Sequence, residues 1–197
     1  DATFVDAPRQ RNSRDENKKI KDGEIPEEWE KPENKSKLAQ KDIDADWTKK
    51  NGERHFGYKD HVKCDADSKL ITNYSVTSAS VHDSQRCLVF IGQEDEVLYA
   101  DSAYSGKPIA LALPDSCENQ ICEKGYRNSP LTSEQKMNNR RKSRIRCRIE
   151  HILGFMTEAM HGITIRSIGI TRAWMNIGIT NLVYNFCRYS YLKRASA

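Results

Sequence analysis

The sequence predicts an α/β fold, a mixed sheet flanked by helices, and three observations carry that prediction. A period-two pattern over residues 52–77, interrupted by Asp65-Ala66-Asp67-Ser68, reads as a β-hairpin. Downstream, apolar strand-like and helix-like segments alternate, which places helices on the faces of a sheet. A long segment near the C-terminal end then carries an apolar stripe at Ile145, Ile149, Ile152, Leu153 and Met156, the spacing of one helix face.

Taken in order, residues 1–7 are strand-like and Pro8 ends the strand. A chain that opens inside a strand without Met reads as a fragment lacking an N-terminal region. Residues 9–50 are poor in apolar groups and dense in Lys, Glu, Asp and Asn, so they read as a charged mobile insertion. Within it Asp42, Asp44 and Asp46 read as solvated charge. The hairpin strands follow, with Leu70–Thr77 returning on the first strand. Ser84–Phe90 reads as a short helix, and Glu96–Asp101 as a strand covered on both faces. Tyr104–Leu113 reads as a helix stopped by Pro114, and Gln120–Cys122 as a short strand. Thr132 with Gln135 three residues on forms a capping box for the next helix. A last helix over 171–191 is expected to bury Trp174, Ile177, Leu182, Tyr184 and Phe186 as a C-terminal packing helix.

Composition narrows the function. At 197 residues the chain fits a single domain spanning 1–197, and 37% of it is hydrophobic. The net charge of +4 conceals a split: residues 1–100 hold 17 Lys/Arg against 21 Asp/Glu, while 101–197 hold 15 against 7. A basic half suits a polyanion. The six cysteines contain no CxxC pair and there is no secretory segment, so reduced thiols and a cytoplasmic setting are expected. No apolar run is long enough to cross a bilayer.

The chemistry centres on acids. Asp101 follows a strand, at the sheet edge where ligands bind; an Asp there also caps turns. Glu150 lies beside the apolar stripe, one helical turn after Arg146, where a plain i,i+4 ion pair is equally legible. Around it run Lys136, Arg140, Arg141, Lys142, Arg144, Arg146 and Arg148, with no acid between Gln135 and Ile149. Asp1, Asp101 and Glu150 would share a purpose in phosphodiester chemistry, where two Mg²⁺ ions about 3.5–4 Å apart activate the nucleophile and stabilise the leaving oxygen. Such ions take hard oxygen ligands. His82 and Asp83 end a strand and are candidates for supporting the site from behind, a plain turn cap being equally legible. Tyr58, Tyr74 and Trp47 could stack on bases, though core packing suits the tyrosines better.

Six segments resemble the DDE transposases of bacterial insertion sequences, in the group with a ribonuclease-H-like catalytic core. They are Asp1-Ala2-Thr3 with Ala7-Pro8; Asp46 to Gly52; Phe56 to His61; Val76 to Ser84; Tyr99 to Tyr104; and Arg146 with Glu150. The resemblance covers essentially the whole chain. It implies a triad of Asp1, Asp101 and Glu150, with Asp101 on the strand neighbouring that of Asp1. It also implies Mg²⁺ as cofactor (two ions, Mn²⁺ as substitute). The partners it implies are double-stranded DNA, as transposon ends and target, and a homodimer or higher assembly on that DNA, nucleoid-associated and without a membrane. Arg140, Arg141, Lys142, Arg144, Arg146 and Arg148 become the DNA-binding set. Two positions depart from the family pattern around the glutamate: Ser143 stands for a Tyr and Thr157 for a Lys. The activity implied is strand cleavage at transposon ends and transfer to target DNA. The alternatives are an inactive DNA-binding remnant and a ribonuclease-H-like nuclease that cuts without joining.

Overall fold

A computed structural model describes residues 1–50 and 52–196; Asn51, within the second of the six segments, lies outside the described residues, as does Ala197. The strands are β1 (Ala2–Asp6), β2 (Asp46–Lys50), β3 (Glu53–Cys64), β4 (Ile71–Ser78), β5 (Val97–Leu98) and β6 (Glu118–Asn119). The helices are α1 (Arg14–Lys21), α2 (Glu27–Glu30), α3 (Lys35–Ala39), α4 (Ser84–Phe90), α5 (Lys107–Ala112), α6 (Ser133–Arg146), α7 (Arg148–Glu158) and α8 (Ile170–Ala195).

β3 organises the molecule because it is long enough to serve three partners. The β-hairpin read from the sequence is β3–β4, paired from Tyr58↔Ser78 to Cys64↔Ile71. β1 pairs with β3 from Gly57 to His61 and β2 from Glu53 to Gly57, both antiparallel, so that β3 lies between them. Gly57 is the one position of β3 paired with both, facing Asp6 of β1 and Asp46 of β2. Its φ is +146°, and a Cβ there would run into the Val5 carbonyl and approach the Ala7 nitrogen to 2.8 Å. Only glycine accepts both the conformation and the crowding.

Alternation along β3 sends its side chains to two faces. On one, Phe56, Tyr58 and Val62 enter a core with Val5, Val76, Ile149, Ile152, Met156, Ala173, Ile177 and Tyr184, which brings α7 and α8 onto the sheet. On the other, Lys59 and Lys63 reach Asp83 (2.9 Å) and Asp95 (2.5 Å), which ties β3 to the ends of α4. A third cluster, of Cys87, Tyr104, Ile109 and Ile121, holds α4, α5 and the β5 region together. The result is the expected α/β architecture, a ribonuclease-H-like core with helices flanking the sheet. Among the described residues the parallel pair, β5–β6, is hydrogen-bonded apart from the antiparallel strands.

Several expectations change. The strand read over Glu96–Asp101 is only Val97–Leu98, and Val97 is 39% exposed, so it is not covered on both faces. It pairs with β6 and not with β1, and the Glu96, Leu98 and Ala100 carbonyls are taken up by the N–H groups of Glu118, Gln120 and Cys122. The helix read over 104–113 is a 3₁₀ turn at Ser102–Tyr104 followed by α5. The cationic helix is bent into α6 and α7 at Cys147. Residues 9–50 carry α1, α2, α3 and β2 around Trp29, which is fully buried. The Trp29 indole N–H donates to Glu16 at 2.7 Å, and the Lys37 and Lys41 ammonium groups lie 5.4 and 5.2 Å from the ring centroid. One aromatic thus gathers charged residues that have no other apolar anchor.

Asp42 and Asp44 are not solvated charge either. Asp42 is buried, accepts from the Tyr58 hydroxyl at 2.6 and 2.7 Å, and receives the Gly169 N–H at 3.2 Å. Asp44 receives the Ile170 N–H at 2.8 Å. Together they cap α8, satisfying N–H groups that a helix start leaves unpaired. Of the five apolar residues expected in the core from this helix, Ile177 and Tyr184 are buried. Trp174, Leu182 and Phe186 are 40%, 53% and 62% exposed, because only one face of α8 meets the sheet.

Candidate active site

The site forms where β1 begins. The Asp1 carbonyl accepts the Val62 N–H at 2.9 Å, which fixes the first residue against β3. Its carboxylate accepts the Ala2 N–H at 2.8 Å on one oxygen and lies 3.8 Å from Arg146 on the other. Arg146 ends α6, and its second guanidinium nitrogen donates to Glu150 of α7 at 2.6 Å. The i,i+4 pair legible in the sequence is therefore present across the bend at Cys147. One guanidinium joins two of the three predicted acids.

Asp101 follows β5 and caps the 3₁₀ turn, its carboxylate accepting the Ala103 N–H at 2.6 Å. It lines the same cavity as Asp1 and Arg146, a space of about 590 Å³ bordered also by His61, Asp83 and Tyr104. Glu150 stands outside that lining, with its side chain 53% exposed. Burial shapes the rest of the wall. It lowers the His61 pKa to about 4, leaving a neutral ring whose Nε2 is 2.8 Å from the Thr77 hydroxyl. Burial also pushes the Tyr104 hydroxyl well above its ordinary range.

Of the two supporting candidates, Asp83 borders the cavity and is held by Lys59. His82 is turned to the Ser84 hydroxyl at 2.8 Å and does not border it. His61 and Lys63 line the cavity and were not predicted as site residues. The period-two pattern of β3 was the available signal, since it puts both on one face, together with the Lys59 that holds Asp83.

The donor set suits a hard divalent cation in kind, being carboxylate oxygens on three separate elements. In position it is incomplete: among the described residues no group of three or more His, Cys, Asp or Glu side chains could hold a metal. Arg146 lies between Asp1 and Glu150, in the place where positive charge between them is needed.

The six predicted DNA-binding cations divide. Lys142 donates to the Ile121 carbonyl at 2.9 Å. Arg148 holds the Ala66 carbonyl and lies 3.1 Å from Asp67, while Arg146 holds the acids. Arg140, Arg141 and Arg144 are exposed, and among the described residues they have no acidic partner. Tyr58 and Tyr74 serve the core, as expected of the tyrosines. No helix is long and apolar enough to cross a membrane among the described residues.

Comparison with known proteins bears on this constellation. The chain is 32% identical over 117 residues to a transposase for insertion sequence element IS1106 from Neisseria meningitidis serogroup B. That match spans 58% of this chain and 40% of the relative, so the chain corresponds to well under half of the relative's length. No solved structure matches. The model of the transposase DDE domain matches residues 1–186, from the first acid through most of α8, and this chain belongs to that family.

Proposed function

We propose that this chain is the catalytic core of a DNA transposase that cuts a strand at a transposon end and joins the freed 3′-hydroxyl to target DNA. The observation that carries the reading is the meeting of Asp1, Asp101 and Arg146 at one cavity, with Glu150 tied to Arg146 just outside its lining, although 100 and 49 residues separate the acids in sequence.

In this reading Asp1 and Asp101 hold divalent metal from the cavity wall and Glu150 completes the set from α7. The ions are Mg²⁺, two in number, with Mn²⁺ able to substitute. Bound there, the metal supplies the acidified water and the charge stabilisation that in-line displacement at phosphorus requires. Arg146 keeps the two acids from repelling one another and gives up its bond to Glu150 as that carboxylate turns inward. Asp83, pinned by Lys59, holds the floor of the cavity in place. The exposed Arg140, Arg141 and Arg144 grip flanking phosphates of double-stranded DNA.

Asp101→Asn and Glu150→Gln in the intact protein are each expected to lower Mg²⁺-dependent strand cleavage by about 10³-fold, equivalent to roughly 4 kcal/mol of barrier. Cleavage at the wild-type rate in both variants rejects the assignment. An assay for 3′-end joining to a target duplex separates a transposase from a nuclease that only cuts.

A second reading, a DNA-binding remnant without catalysis, draws on the Arg146 contacts and on the lack of a gathered ligand group among the described residues. Calorimetry decides between them: no Mn²⁺ uptake alongside intact DNA binding favours the remnant.

A further inference from the structure

The acidic half of the sequence contributes to a cationic cavity. Residues 1–100 hold 17 Lys/Arg against 21 Asp/Glu, yet the fold draws three of those cations together and adds a fourth. Arg9 and Gln10 follow β1, Lys37 lies on α3 and Lys41 just past it, and Arg166 precedes α8; together they line a space of about 430 Å³. Among the described residues one acid borders it, Asp42. Asp42 is 3% exposed, and its oxygens are already taken by the Tyr58 hydroxyl and the N–H groups of Asp44, Ala45 and Gly169.

The protein itself balances little of this positive charge. Arg9 and Arg166 are exposed, and among the described residues they have no acidic partner. Lys41 donates to neutral oxygens, the Arg11 carbonyl at 3.0 Å and the Asn12 side chain at 2.6 Å. Lys37 reaches Glu16 only at 3.5 Å. Trp29 holds both ammonium groups over one ring, so like charges are kept close at an electrostatic cost that a bound anion relieves. Gln10 brings an amide whose Oε1 is buried without a hydrogen-bond partner. A half-turn about its last torsion, which is soft at an sp² group, sets the NH₂ in the same place. Guanidinium forks, ammonium groups and an amide N–H are the donors that surround a phosphate oxyanion.

We infer that this cavity holds one phosphate group of a DNA backbone, a contact separate from the arginines of α6. β1 sets the distance between this cavity and the active-site cavity. The extended chain from Asp1 to Pro8 spans about 20 Å, so one phosphate cannot serve both. A duplex running from one cavity to the other covers that distance in about six base pairs. The folded insertion thereby acquires a purpose: Trp29 and the chain around it fix Lys37 and Lys41 beside the end of β1. The inference rests on the reading of this chain as a protein that acts on DNA and is independent of which residues hold metal.

The test is titration of one duplex into the intact protein, without metal, at several chloride concentrations. Arg9→Gln with Arg166→Gln is expected to flatten the dependence of log K on log salt by about 0.9, the contribution of one neutralised phosphate. Both side chains are exposed, so the thermal melt stays within a few degrees of wild type. Arg9→Lys with Arg166→Lys keeps the charge and the wild-type slope. In a second arm, inorganic phosphate at constant ionic strength shows a broadened phosphorus resonance with wild type and a sharp one with the Gln pair. Equal duplex slopes for wild type and the Gln pair overturn the proposal; if free phosphate binding is nevertheless lost in that pair, the cavity takes a small anion and not a DNA backbone. A Lys pair that behaves as the Gln pair overturns it too, since charge is then not what the variants remove. Failure of the wild type to bind any duplex overturns this inference and the proposed function together. Strand cleavage that survives Asp101→Asn removes the catalytic assignment alone.

Discussion

Asp60 is fully buried on β3, on the side facing α8, and among the described residues neither of its oxygens has a hydrogen-bond partner. The Asn181 amide of α8 is equally without partners. Burial raises the Asp60 pKa to about 7, against a smaller downward pull from Asn181. Its neighbour His61 faces the cavity, where burial acts the other way and lowers the ring to about 4. The two have opposite linkage. Between the ordinary carboxyl value of 3.8 and about 7, the folded state binds more protons at Asp60 than the unfolded chain, so stability falls as pH rises. Between 6.5 and about 4, the unfolded chain binds more protons at His61, so stability falls as pH drops. Over their shared window the slopes oppose. Asp60→Asn therefore exposes the His61 slope. Urea-unfolding stability of the variant is expected to climb from pH 4.5 to 6.5 more steeply than wild type, by about 1 kcal/mol per pH unit. Parallel profiles would show that Asp60 titrates as an ordinary carboxyl.

At the scale of elements, the placement of Asp1 depends on how β1 lies along β3. That register runs from Ala2↔His61 to Asp6↔Gly57, and Gly57 also pairs with Asp46 of β2, on the other side of β3. Gly57→Ala puts a methyl group against the backbone of β1, where no side-chain movement relieves it, at a φ that disfavours a side chain. The expected cost is about 3 kcal/mol, or roughly 10 °C in Tm for a chain of this size. Because the damage falls on β1, amide exchange of Thr3 to Val5 should rise before that of β4. Unchanged Tm and exchange would mean that β1 is held from elsewhere. The bend at Cys147 matters at the same scale. It divides the cationic segment into α6, which carries the exposed arginines, and α7, which carries Glu150 in its first turn beside buried Ile149 and Ile152.

For the molecule as a whole, the basic half of the sequence does not translate into a uniformly basic surface. Three of the six cations expected to meet DNA are engaged with the protein itself. The exposed Arg140, Arg141 and Arg144 remain for phosphates. Changing all three to Gln is expected to flatten the dependence of log K on log salt by up to ~2.7, about 0.9 for each phosphate that is no longer neutralised. Changing Lys142 alone should alter that slope little, since its ammonium is already held by the Ile121 carbonyl. Titrations of one DNA duplex at several salt concentrations measure both. Equal slopes for the triple variant and wild type would remove this face of α6 from the DNA path.

Local pattern was enough for the hairpin, for α4, for the Thr132 capping box and for the Arg146–Glu150 pair. Each is settled by neighbours within a few residues, through side-chain alternation, turn chemistry or helical spacing. The three acids are named through the resemblance of their short motifs to the DDE transposases, since local pattern alone reads Asp101 equally as a turn cap and Glu150 as half of an ion pair. The tertiary structure alone decided that Asp101 and Asp1 share a cavity without sharing a strand pair, and that Arg146 reaches both Asp1 and Glu150. It alone decided that Asp42 and Asp44 cap a helix 127 and 126 residues away, and which side of α8 is left uncovered. Those outcomes depend on which surfaces pack together. An apolar residue in α8 or a carboxylate in an acidic insertion has the same local signature whether it ends buried or in water.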